Sequence, residues 1–397
     1  MAITDKKTGV WGLDQTYNKI NQGSIWNFSG QPGLWTIGSS GNGVSGVNDN
    51  VNRSSPIQIP GTTWSTDLGK IAYSGDNRTH AGAIKTDGTL WTWGANGDGY
   101  LGLNDKISRS SPTQIPGTWS IVSSSYEMFG AIKTDGTLWT WGLASDGQLG
   151  HNKGGAGWQG NTPLSSPKQV PGSWANIVMA KRAMAVKTDG TLWAWGEGGG
   201  VLCQPTNVSR SSPCQIGSDT TWDSAAGKLA LSESGGSAMA IKTDGTLWGW
   251  GGSNATPLNA PEVHYSSPIQ VSTDTTWRYL SSFGNGNYLA TKTDGTLWGW
   301  GAQADYGQLG QGDTNTRSSP IQIPGTNWHV PNGGRMFNLI SKTDGTLWAT
   351  GSPQRNTIGL NLPSINANPG KTTVQCGGDG WIEAKPSMYW VIGTAQH

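Results

Sequence analysis

The chain is short of most of what catalytic, membrane-spanning and nucleic-acid-binding proteins use. Of its 397 residues, 13% are charged, and 26 Lys and Arg against 25 Asp and Glu leave a net charge of +1. No long basic run occurs, so no partner nucleic acid is expected through phosphate neutralisation. The three cysteines, Cys203, Cys214 and Cys376, form no Cys-x-x-Cys or Cys/His metal spacing and read as small inert thiols. The five histidines, His80, His151, His264, His329 and His397, never stand at an HxH, HxxxH or HExxH spacing and read as solvated loop residues. No GxSxG elbow and no phosphate-binding GxxxxGK[ST] loop is present. No window approaches about 18 apolar residues, so no membrane span is expected. The opening stretch, MAITDKKTGVWGLDQTYNKIN, has no apolar core of a secretory signal. Together these absences predict a non-enzymatic protein with no cofactor and no bound metal.

Abundance lies elsewhere. There are 61 glycines and 23 tryptophans. Such a chain is dense in turns and concentrates its burial in large aromatics, each removing roughly 150–250 Å² from water.

The abundance is periodic. KTDGTLW begins at Lys85, Lys133, Lys187, Lys242, Lys292 and Lys342. SSPxQ[IV] begins at Ser54, Ser110, Ser165, Ser211, Ser266 and Ser318, and a tryptophan follows each (Trp64, Trp119, Trp174, Trp222, Trp277, Trp328). A period near 50 residues is that of a propeller blade, solenoid or array. Each unit carries four strand signals. "GAIKT" leads through Asp-Gly into "TLWTWG", then "SPIQIPG" follows, and the tryptophan opens a fourth strand. Asp-Gly between apolar runs predicts a two-residue hairpin with positive φ at both residues. Four antiparallel strands per unit with no amphipathic helix predict an all-β fold, a β-propeller.

Six heptapeptides account for six blades. "GQPGLWTIG" (30–38) supplies a seventh LW strand without an AIKTDG strand before it, while "MYWVIG" (388–393) has no LW strand after it. The spacing predicts a seven-bladed ring closed by C-terminal residues, with blade one shared between 30–64 and 381–393. Nineteen of the 23 tryptophans fall at repeat positions and are expected to pack between blades, with Ile37 and Thr350 replacing the second tryptophan at the two ends. Domain boundaries follow as an arm at 1–29 and a propeller at 30–397.

"AIKTDGTLWTWGANGDGYLG" (83–102) and "WGLASDGQLG" (141–150) resemble the repeat of the regulator of chromosome condensation family, as does GQLG at 307–310. The resemblance covers about residues 30–393. It implies a seven-bladed propeller that binds other macromolecules through one face, but no single activity, since members include a nucleotide-exchange factor, ubiquitin ligase modules and a bacterial β-lactamase inhibitor. Family repeats often carry a histidine three residues before the alanine of the AIK strand. His80 matches; Met128, Arg182, Ser237, Asn287, Phe337 and Met388 stand at the other positions. That departure speaks against a chromatin-type exchange factor.

A second resemblance covers "TGVWGLDQTYNKINQGSIWNFSG", which looks like N-terminal segments of virion proteins from tailed bacteriophages. It implies a virion protein, made in the host cytoplasm, that decorates a capsid or forms part of a tail fibre. Trp11, Leu13, Tyr17, Ile20, Ile25 and Trp26 are the candidate attachment residues toward other virion proteins. The alternative is a bacterial cytoplasmic propeller that binds or inhibits a protein partner.

Function is expected where the repeats differ, in the loops between WG and SSP and in those before each AIK strand. The candidate binding-face residues are His80, Tyr126, Met128, Trp158, Arg182, Asn287, Arg335, Phe337 and Met388. Their expected ligands are a host-surface protein or glycan, or a second copy of the chain. "GVNDNVN" (46–52) and "GDTNT" (312–316) hold side-chain oxygens but not the regular spacing of a calcium loop.

Overall fold

The computed structural model describes residues 33–74, 79–143, 146–152, 163–198, 201–202, 208–232, 236–251, 265–283, 286–301, 307–334, 337–351, 373–376, 381–386 and 390–395. They form seven four-stranded antiparallel sheets, the blades of a β-propeller. Apart from strands, the described residues contain one 3₁₀ turn, Gly41–Gly43.

A typical blade is the third. Its strands run, from the axis outward, Trp119–Ser125, Met128–Lys133, Leu138–Gly142 and Leu164–Val170. The tryptophan counted fourth in the sequence unit therefore opens the innermost strand of the following blade. Trp64 behaves in the same way: it bridges to Lys85 and belongs to blade two, not to the end of blade one.

Blade one is assembled from both termini. Gly33–Gly38 pairs on one side with Arg53–Gln58 and on the other with Trp390–Ala395, which pairs in turn with Trp381–Pro386. The register sets Thr36 opposite Ile392 and Trp35 opposite Gly393. Two N-terminal and two C-terminal strands thus share one sheet, which removes the free edge an open ring would leave.

The KTDG turn is not the expected two-residue hairpin. Gly88 has φ 82°, whereas neither Asp87 nor Thr86 is among the residues with positive φ. The Gly88 N–H donates to the Lys85 carbonyl, and the Lys85 N–H to the Thr89 carbonyl, each at 2.9 Å. This is a three-residue loop whose single left-handed position needs glycine. Asp87 keeps ordinary φ because its carboxylate is committed forward. Oδ1 accepts from the Thr89 N–H at 2.9 Å and the Thr89 hydroxyl at 2.7 Å, and the Trp91 indole donates to Thr89 Oγ1 at 2.9 Å.

The second tryptophan of LWxW joins blade to blade. Trp93 donates its indole N–H to the Val44 carbonyl of blade one at 2.8 Å, and Trp141 donates to Tyr100 of blade two at 2.9 Å. Trp195 and Trp250 repeat the bond to Gln148 and Val201. The acceptors sit in the G-x-L-G turns and their equivalents. A Cβ on Gly102 would lie 2.7 Å from the Trp141 indole nitrogen, so glycine there admits the neighbouring ring. Thr350, which replaces tryptophan in blade seven, keeps the same partner type: its hydroxyl donates to the Gln308 carbonyl at 2.6 Å. Ile37 has no donor to offer and packs instead against Phe337 and Ala384.

An outer clasp accompanies the indole bond. Asn48, Asn104 and Asn152, all left-handed, donate their backbone N–H to Ser110, Ser165 and Ser211 of the next blade's SSP strand. Their side-chain oxygens accept from Ser110 and Ser111, from Ser166 and from Ser212.

Replacing Trp141 by Phe keeps most of the buried surface but leaves the Tyr100 carbonyl without its donor. Urea unfolding should show a loss of about 1–3 kcal/mol at unchanged m; a change below about 0.5 kcal/mol would deny the indole bond its role. His151, which follows the Gly147–Gly150 turn and lies 2.9 Å from Thr140 Oγ1, supplies a pH signature. Burial first, and then the Lys168 charge, lower its pKa to about 4. An unfolded histidine protonates near 6.5. Between these values the unfolded chain binds the extra proton, so stability falls as pH drops from about 6.5 to about 4. His151→Gln should flatten the pH dependence of Tm in that window while leaving the carboxylate-driven loss below it unchanged. Deleting 381–395 removes two strands of blade one, and the product should be recovered only as aggregate in size-exclusion chromatography.

Candidate functional site

The strand order gives the ring two unlike ends. The KTDG turns and the Pro-Gly connections lie at one end. The links from inner to second strand, and from third to outer strand, lie at the other, where the repeats differ.

At the KTDG end the repeated residues build a structural device. Each repeat lysine lies between two tryptophans: Lys187 Nζ stands 3.7 Å from the Trp193 ring centroid and 5.2 Å from that of Trp174. Lys85, Lys133, Lys242, Lys292 and Lys342 repeat the arrangement. Cation–π attraction and an edge-to-face tryptophan pair (Trp174–Trp193, 78° between planes) hold the turn to the inner strand. Lys242 and Lys292 also meet Asp219 and Asp274, whose pKa values are pulled down to about 2, first by the lysine hydrogen bond. Every residue of KTDGTLW therefore has a packing or turn role.

At the variable end the structure corrects five of the binding-face assignments. His80, Met128, Arg182, Asn287 and Phe337 start the second strands, each paired with the glycine that ends the third strand, and all are buried. The third strand ends directly over them: a Cβ on Gly142 would lie 2.8 Å from Met128 Cα. They pack between blades rather than toward a ligand. His80, expected in a solvated loop, lies 4.9 Å from Phe129 and 5.7 Å from Tyr100, centroid to centroid. Ser237, at the same position in blade five, shares a 2.7 Å hydrogen bond with Tyr288 of blade six. Arg182 donates from Nε to the Glu197 carbonyl at 2.8 Å and from Nη2 to the Gly198 carbonyl, tying down its own blade's loop, and burial lowers its pKa.

Tyr126 stays near the surface. It holds φ 49°, and Lys181 Nζ of the next blade stands 5.8 Å from its ring centroid. Its carbonyl accepts from the Ser74 hydroxyl of blade two at 2.6 Å. Trp158, Arg335 and Met388 lie outside the described residues, as do Trp11, Leu13, Tyr17, Ile20, Ile25 and Trp26.

The acidic loops are committed to arginine. Asp49 and Asp313 bridge to Arg53 and Arg317, each at 2.6 Å, and Asp105 does the same to Arg109. Among the described residues no group of three His, Cys, Asp or Glu side chains is placed to hold a metal. The cysteines are not all inert thiols: Cys214 is disulfide-bonded, while Cys376 is a free buried thiol whose pKa burial pushes up to about 12.

The axis holds a feature that the repeats conceal. In blades two and five the inner tryptophan is followed by an extra loop, STDLGK (65–70) and DSAAGK (223–228), before the strands Ile71–Tyr73 and Leu229–Leu231. These loops turn inward and meet: a Cβ on Gly69 would lie 3.1 Å from the Ala226 methyl. The Gly69 carbonyl accepts from Val122 N–H of blade three and the Gly227 carbonyl from Leu280 N–H of blade six, at 2.9 and 2.8 Å. They form a floor at the KTDG end. Above it a cavity of about 210 Å³ is lined by residues from all seven blades. The shared W-x₄-G-K spacing of 64–70 and 222–228 was the available signal for this plug.

Comparison with known proteins agrees with this architecture. The model of the Regulator of chromosome condensation (RCC1) repeat matches residues 87–125 and 294–330. The RCC1 domain-containing protein RUG3, mitochondrial, of Arabidopsis thaliana is 29% identical over 257 residues, 61% of this chain and 55% of that protein's length. The chain thus spans about half of this curated relative. Human WBSCR16 superposes with a TM-score of 0.75 at 16% identity, covering 92% of this chain and 99% of its own. Prp20p of Saccharomyces cerevisiae gives a TM-score of 0.73 at 16% identity over 95% and 94%. These likenesses show the fold. They also correct the expected location: the curated relative is a mitochondrial plant protein, which overturns placement of this chain in a virion. Among the described residues no helix is long and apolar enough to cross a membrane. The chain is a seven-bladed β-propeller in which residues 87–125 and 294–330 match the RCC1 repeat.

Proposed function

We propose that the chain is a non-enzymatic binding module that holds a protein partner at the variable end of the ring. The observation that carries this reading is Tyr126. A tyrosine at φ 49° is in a region that side-chain-bearing residues avoid, and such strain persists where the surroundings impose it, commonly at binding sites. Here it presents an aromatic ring, with a lysine above it, at the end of the molecule where the blades differ. Tyrosine beside a cation is a frequent anchor in protein interfaces.

Two further facts support binding over catalysis. The six aspartates of the KTDG turns are engaged by their own threonines, as at Asp87 and Asp135. The solved relative Prp20p is described by its binding to Gsp1p and histones, and a rigid ring carrying varied loops suits such a task.

The test is affinity capture and cross-linking with the wild-type chain and two variants. Tyr126→Ala combined with Lys181→Glu should lose the captured partner by tenfold or more, a loss of about 1.4 kcal/mol or greater. Lys187→Met, at the opposite end, should retain it. Undiminished capture by the Tyr126/Lys181 variant would refute the assignment of the variable end.

A further inference from the structure

We propose that the rim of the ring is a multivalent binding site for polysaccharides built of neutral hexopyranoses. The starting point is a residue that packing leaves unexplained, the glutamine of SSPxQ. In all seven blades it stands directly across the strand pair from the first tryptophan of LW. Blade one has no KTDG turn and blade seven no SSP, yet Trp35 faces Gln58 and Trp348 faces Gln375. The residue before the glutamine varies: Thr113, Lys168 and Cys214 stand where other blades have Ile or Val. Neither burial nor bonding accounts for the constancy of the glutamine. Six of the seven are exposed, and Gln215 is half-buried. Among the described residues only Gln270 gives its side-chain amide to a protein group, the Ser272 carbonyl at 2.9 Å.

The tryptophan beside each glutamine is held in place but only partly covered. In six blades its indole N–H donates to the threonine that follows the Asp-Gly pair, and the repeat lysine stands over its ring. The amide head and the indole lie together: a Cβ on Gly33 would come within 2.7 Å of the Gln58 amide nitrogen and 2.9 Å of the Trp35 indole nitrogen. Each blade thus sets an apolar ring edge beside a primary amide, with an ammonium close by in six of them. An amide offers two N–H donors and a carbonyl acceptor, a lysine donors alone. A sugar hydroxyl both donates and accepts, so neighbouring hydroxyls satisfy the amide while the C–H face of the sugar covers the indole. An anion would leave the amide oxygen without a donor, and so would a proline-rich peptide, whose prolines carry no N–H. Seven equivalent sites on a rigid ring match a polymer that repeats one unit, and multivalency raises avidity by about 10²–10⁴-fold over one weak site.

The test uses the full chain, labelled with ¹⁵N at its glutamines, and no protein partner. The sites lie toward the KTDG end, away from Tyr126, so failure here and failure of the partner-binding reading are distinguishable. Methyl glycosides of glucose, galactose, mannose and N-acetylglucosamine are titrated. With one or more of them the side-chain amide signals of the seven rim glutamines should shift together and saturate, with Kd of about 0.1–10 mM. Resin carrying a polysaccharide of that sugar should retain the chain with an apparent affinity about 10²-fold tighter or more. Gln114→Ala, Gln169→Ala and Gln322→Ala combined should keep the wild-type Tm, because these side chains are exposed and unbonded, and should lose about tenfold or more in retention. Should that variant fail to fold, the wild-type titration still decides. Absence of shifts with all four glycosides, shifts confined to a single blade, a response to decaproline in place of sugar, or undiminished retention of the folded triple variant would each overturn the proposal.

Discussion

The ring depends on one interaction: the indole N–H that a tryptophan in the third strand of one blade donates to a backbone carbonyl in the loop of the blade before it. From Trp93 to Val44, Trp141 to Tyr100, Trp195 to Gln148 and Trp250 to Val201, the bond recurs with lengths from 2.8 to 3.0 Å. A buried carbonyl without a donor is costly, so these four loops are each fixed by the blade that follows, whereas the Trp300 indole N–H at the same position in blade six is buried without a partner. The ring also removes large aromatic surfaces from water in pairs. Trp174 lies against Trp193 and Trp195, and Trp222 against Trp248 and Trp250. Few charges are needed because aromatic burial, cation–π contact and local hydrogen bonds hold the framework.

The same arrangement explains why the variable end is less exposed than its sequence suggests. The glycine that ends each of these third strands passes over the first residue of the second strand. His80, Met128, Arg182, Asn287 and Phe337 are thereby covered by their own blades. Their variety adjusts packing between unequal neighbours, as with Ser237 and Tyr288 or His80 and Phe129. Variation among repeats therefore includes interblade fit. Tyr126 differs by position, because it follows the end of an inner strand and stays partly exposed.

The fold itself was legible. The period of the heptapeptide, the SSP strand and the lone LW strand at residues 34–35 gave blade number, strand content and closure by a C-terminal strand, which the structure places at Trp390–Ala395, two residues beyond the expected 388–393. These are local or countable properties, and the chain repeats them. The Asp-Gly turn was misread because the dipeptide does not distinguish a two-residue from a three-residue hairpin. The choice lies in the forward hydrogen bonds of Asp87 to Thr89. Cys214 was misread because disulfide bonding requires a second sulfur nearby in space, a distance that spacing along the chain does not report.

The sequence by itself determined the architecture: what each unit folds into, how many there are, and that the ends must meet. It could do so because hydrophobic period, turn chemistry and repeat length act within about fifty residues. Tertiary structure alone decided which variable residues are buried and which loops fill the axis. Gly69 and Ala226 lie 157 positions apart, in blades two and five, yet come into contact on the axis. Such a contact depends on where the ring carries two distant loops, and neither loop holds that information alone.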